Sequence, residues 1–108
     1  MPEVRLSSMM LTPRETEKLV IYQVAAVAQE RKDRGVKLNV PEAIALITKA
    51  VLEAARDGKT VQEAESLGQQ VLKREDVMEP VPEMIPVVMV EGTFKDGTQL
   101  ISVINPIT

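Results

Sequence analysis

The sequence predicts an α+β fold, with an N-terminal bundle of three or more helices followed by a C-terminal antiparallel β-hairpin. Three observations predict it. Helix-start signatures recur at Thr12, Asn39 and Thr60, each with a glutamate three residues on. Prolines then crowd residues 80–86. Beyond them the apolar period changes from that of a helix to two, on either side of an Asp-Gly pair.

The first helix is expected over about residues 13–34. Thr12 is a natural N-cap, Pro13 occupies the first helical position, and Glu15 completes a capping box. Val20, Val24, Val27 and Ala28 follow at helical spacing as an apolar stripe. Arg31, Lys32 and Arg34 sit where cations favour the negative end of the helix dipole, and Gly35 suits a left-handed cap. The second helix, about 40–57, starts at Asn39 with Glu42 in capping-box register. Ile44, Ile47, Val51 and Ala54 or Ala55 make its buried stripe, and Ala43, Ala45, Ala50 and Ala54 allow another helix to approach closely. Gly58 ends it. The third, about 61–72, opens on the Thr60–Glu63 box and carries Val61, Ala64, Leu67, Val71 and Leu72.

Residues 1–9 show no period and read as an N-terminal extension to a domain over 10–108. Pro80, Pro82 and Pro86 disfavour a regular helix in the connection 77–86 and favour an extended, exposed path. Strands are expected at about 87–94 and 99–104. Asp-Gly between two strands is a strong hairpin signal, which makes Asp96 and Gly97 the loop residues and sets Lys95 opposite Thr98. Val88, Val90, Phe94, Ile101 and Val103 then share one face. The other face is polar near the turn but carries Val87, Met89 and Ile104 towards the base. A hairpin that is apolar on both faces at its base asks for cover on two sides, and the chain's own helices supply one. Its open edges also invite strand addition. The chain is therefore expected to be an assembled subunit, with a partner interface at Val87, Met89, Leu100, Val103, Ile104 and Ile107.

Composition narrows the chemistry. The 108 residues suit one modest domain, 44% apolar but only 2% aromatic, so the core is aliphatic. With no cysteine and no histidine, the chain lacks thiol chemistry, the commonest general base and the commonest transition-metal ligand. A net charge of −3 argues against a nucleic-acid binder. No apolar run approaches the roughly 20 residues of a membrane span, and the first residues lack a signal-peptide core, so a cytoplasmic protein is expected.

The remaining groupings read as structural. Glu75, Asp76 and Glu79 fit no calcium loop and read as a solvated acidic turn. Arg31, Lys32, Arg34 and Lys37 collect at a helix end for dipole reasons, without aromatics for base stacking. Ser7, Ser8, Ser66 and Ser102 have no histidine to activate them. Gly92 and Gly97 are strand and turn glycines, and Met78, Met84 and Met89 suit gap-filling at an apolar contact. No catalytic, cofactor-binding or metal-ligating residue is assigned.

LTPRETEKL, RGVKLNVPEAIALI, EAARDGKTV, VLKREDVM, VPEMIP, VEGTFKDGTQL and NPI occur in this order. Together they resemble, from about residue 10 to residue 107, the gamma subunit of bacterial urease. The resemblance implies packed helices followed by a β-hairpin. It also implies separate beta and alpha chains as partners, three such units forming a trimer of heterotrimers. The implied activity is hydrolysis of urea to ammonia and carbamate, at two nickel ions and a carbamylated lysine that lie in the alpha chain. The gamma chain supplies no nickel ligand. Against the family pattern, residues 1–8 are an extra segment or reflect an upstream start, Val40 stands where tyrosine is common, and Ile104 stands where histidine is usual. The chain's end at Thr108 implies that the beta region is a separate chain. The alternative reading is a stand-alone or self-associating interaction module descended from this family, without urease activity.

Overall fold

The structure is a computed structural model that describes residues 10–108. The expected N-terminal extension, residues 1–9, lies outside the described residues. Three helices lead the fold: α1 (Pro13–Asp33), α2 (Val40–Arg56) and α3 (Val61–Gly68). A 3-10 turn (Arg74–Asp76) and a single-turn helix, α4 (Val81–Met84), follow. Strands β1 (Val87–Phe94) and β2 (Gly97–Ile104) then pair antiparallel, as the predicted α+β class requires.

All three capping boxes form. Thr12, Asn39 and Thr60 accept from the backbone N–H of Glu15, Glu42 and Glu63, whose carboxylates accept from the cap residues' own N–H groups at 2.9, 2.9 and 3.0 Å. Each box satisfies two N–H groups that a helix start otherwise leaves bare. The first two helices end alike. Gly35 and Gly58 take φ of +77° and +81°, and the N–H groups just beyond, at Val36 and Lys59, reach back to Arg31 and Ala54 at 2.9 and 3.0 Å. That is the Schellman closure, in which the left-handed position favours glycine.

Helix α2 is the centre of the molecule, packed against α1, α3 and β1. Ten of its residues are buried, among them Ile47 and Val51 with no exposed surface. The hairpin lays Val88, Val90, Gly92, Phe94, Ile101 and Val103 inward, in the strict alternation expected of a strand pair with one covered face.

Several expectations need correction. The stripe on α1 buries only in part: Ala28 is fully buried and Val24 packs half-buried against the core, but Val20 and Val27 are 60% and 39% exposed, and Ala25 joins Ala28 on the inner face. On α2, Ile44 likewise turns outward. Helix α3 stops at Gly68 rather than at residue 72, and Leu67 is exposed. Leu72 is buried from an irregular segment instead. Gly68 accounts for the tight fit here, because a Cβ at that position would stand 2.9 Å from Val103 Cγ2 and 3.3 Å from Val51 Cγ2.

The connection 77–86 is neither extended nor exposed throughout. Val77, Val81, Pro82 and Ile85 are buried, and Pro82 sits in the first turn of α4, where its missing N–H costs no helix bond. Leu38, fully buried, forms a two-residue parallel bridge with Val77. The Leu38 N–H donates to Asp76 O at 3.0 Å, and Leu38 O accepts from the Met78 N–H at 2.9 Å.

The hairpin register differs by two residues from the one predicted. Phe94 faces Gly97, Thr93 faces Thr98, and the two loop residues are Lys95 and Asp96. Neither adopts a positive φ; Gly97 does, at +106°. A primed turn needs positive φ within its central pair, whereas this tip places its glycine one position later. Because side chains alternate with period two, a shift of two leaves every residue on its predicted face.

Candidate partner interface

The covered side of the hairpin meets α2 through β1 and α3 through β2. Its other side is left largely uncovered by the described residues, touched by α1 at Glu91. Val87 and Ile104 lie directly opposite one another there, with Met89 facing Ser102 one step further and Leu100 facing Glu91 beyond. Met89, Leu100 and Ile104 are each more than half exposed, and Val87 is 42% exposed. Glu91 is the charged residue of the patch, and its carboxylate accepts from Arg14 of α1 at 2.9 Å. Four apolar side chains thus stand together on an uncovered surface, a concentration that marks contact sites more often than isolated exposed residues do.

Two residues of the predicted interface do not belong to this surface. Val103 is fully buried, paired with Val88 on the inner face. Ile107 is 4% exposed. Its burial follows from Asn105, which takes a left-handed φ of +44° as the chain leaves β2. The Asn105 N–H donates to Pro86 O at 2.8 Å, Pro106 is buried, and Thr108 O accepts from the Arg74 N–H at 3.4 Å. The tail therefore folds under the domain, and its apolar residues serve the chain's own core.

A second uncovered apolar surface escaped the sequence reading. Val20, Ile21, Val24, Val40, Pro41 and Ile44 line a groove of about 330 Å³ between α1 and α2. The signal was present in the α1 stripe, but periodicity says only that a face is apolar and not what covers it. Ala25, beside the stripe, and Ala28, at its end, are the residues of α1 that bury fully. Elsewhere between the two helices, Tyr22 of α1 donates its hydroxyl to Glu53 Oε2 of α2 at 2.7 Å. Partial burial, and then the Glu53 carboxylate, push the Tyr22 hydroxyl up to about 12.

The polar groupings have structural partners. Arg31 reaches across from the end of α1 to Glu42, whose side chain is 8% exposed. The Asn39 N–H holds the Glu42 carboxyl below its ordinary value, with Arg31 acting in the same sense and burial opposing both. Lys37 donates to Glu75 O, and Asp76 accepts from the Lys73 N–H at 2.8 Å. Ser66 accepts from Gln70 at 3.1 Å. Met78, Met84 and Met89 are exposed and fill no gap inside the chain.

Among the described residues no group of three or more aspartates or glutamates stands where it could hold a metal ion. With no histidine or cysteine in the sequence, the residues of this chain do not fit a nickel centre. No helix among the described residues is long and apolar enough to cross a membrane. What the surface can do chemically is bury apolar area against another chain.

A family model described as urease, gamma subunit, matches residues 9–107. A curated relative named urease subunit gamma, from Corynebacterium kroppenstedtii, is 59% identical over 99 residues, covering 92% of this chain and 98% of its own length. That span takes in the three capped helices, the partly buried connection and the hairpin with its open face, so the chain belongs to the urease gamma subunit family.

Proposed function

We propose that this chain is a non-catalytic structural subunit of urease, assembling with separate beta and alpha chains as a trimer of heterotrimers. The carrying observation is the outer face of the hairpin, where Val87, Met89, Leu100 and Ile104 stay open to solvent although the inner face of the same strands is sealed. In this reading a neighbouring chain supplies the missing layer. Urea is hydrolysed to ammonia and carbamate in the partner alpha chain, where nickel supplies Lewis acidity and an activated water. The gamma chain's own residues bind and orient its neighbours and carry no proton or metal. The complex works in the cytoplasm.

Co-expression with candidate alpha and beta chains, followed by mass measurement and a urea assay, tests the proposal. Expected are co-purification of all three chains in equal number, a mass fitting three such units, and no urea hydrolysis by this chain alone. A chain that stays monomeric and co-purifies with neither partner overturns it. Ile104→Asp sharpens the test, because it should weaken assembly more than it unfolds the isolated subunit. Equal loss of both would make Ile104 part of the fold's own stability instead.

A second reading rests on Ile104 itself, an apolar residue 58% exposed at a position where the family usually carries histidine. That substitution enlarges the apolar patch, as a self-associating module freed from urease would require. The mass of the isolated chain across a range of concentrations separates the two readings: self-association without partners favours the second.

A further inference from the structure

We draw no further inference here: the strongest candidate, the apolar groove between α1 and α2 lined by Val20, Ile21, Val24, Val40, Pro41 and Ile44, is an unpartnered face, and nothing in the structure shows what covers it.

Discussion

Helices α1 and α2 have similar punctuation and opposite roles. Both begin with a capping box and a proline in the first turn, and both end on a left-handed glycine. Yet α1, the longer at 21 residues, buries only Ala25 and Ala28, whereas α2 buries ten of its 17. The first is a rail along one side of the domain, packed extensively on α2 alone. The second is the axis on which everything else is hung. Local signals write where a helix starts and stops; its energetic weight depends on how many neighbours it meets.

The comparison can be broken most strongly from the α2 side. Ile47→Ala, at a fully buried position, is expected to cost about 2–5 kcal/mol through lost burial and the cavity left behind. Val20→Ser on exposed α1 should change the isolated chain by less than about 0.5 kcal/mol. Denaturant titration of both variants measures the difference. Similar losses would mean that α1 carries core weight its exposure does not suggest.

Next comes the polar tie between the two helices. Glu42 both completes the α2 capping box and receives Arg31 of α1. Glu42→Ala is expected to cost about 1.5–3 kcal/mol, the range for hydrogen bonds to a charged group. The same carboxylate gives a pH signature. Its value in the folded chain lies below the ordinary 4.5, and those of Glu15 and Glu63 are lowered too, each first by the N–H of its cap residue. A depressed carboxyl contributes stability that is complete above the unfolded value and lost as pH falls through the folded one. Stability should therefore decline as pH drops below about 4.5. Circular dichroism of wild type and Glu42→Gln through that range checks the sign: the variant should show the shallower decline.

A smaller effect is expected where α3 meets β2. Gly68→Ala drives a methyl group against Val103, a stiff β-branched side chain. The strain should cost about 1–2 kcal/mol, near the low end for overpacking because alanine is the better helix former. Thermal melts of Gly68→Ala, Val103→Ala and the double variant check the cause: if the clash is responsible, the double variant loses less than the two single losses added together. Small too for the isolated chain is Ile104→Asp, expected to cost less than about 1 kcal/mol at its exposed strand position. Its larger effect belongs to assembly.

What could be read from the sequence follows the same division. The capping boxes were legible because each is completed within four residues, so Thr12, Asn39 and Thr60 needed no knowledge of the fold. The faces of the hairpin were legible because alternation is a parity, which Val88, Val90 and Ile101 obey whatever the pairing. The end of α3 had a local signal in Gly68, whereas the close approach of Val103 to that glycine was not legible, because Val103 lies far along the chain. Ile107 was misplaced for a different reason: Asn-Pro signals a turn, but not that the left-handed Asn105 would aim the tail inward at the core. Of the predicted interface, the members fixed by parity, Val87, Met89, Leu100 and Ile104, lie on the open face. The exposure of the α1 stripe required knowing what α2 left uncovered.

The hairpin tip has a consequence for how such a surface could diversify. Pairing around Lys95 and Asp96, and pairing around Asp96 and Gly97, bury the same side chains, so the core cannot tell them apart. The choice is made at the base instead, where Asn105 holds Pro86 and Gln69 holds the carbonyl of Ile104. In the alternative pairing Ile104 would sit opposite Met89 rather than Val87, and Leu100 opposite Thr93 rather than Glu91. A relative with a different turn could thus redraw the mosaic of its outer surface, and with it the neighbour that fits, while leaving its interior untouched.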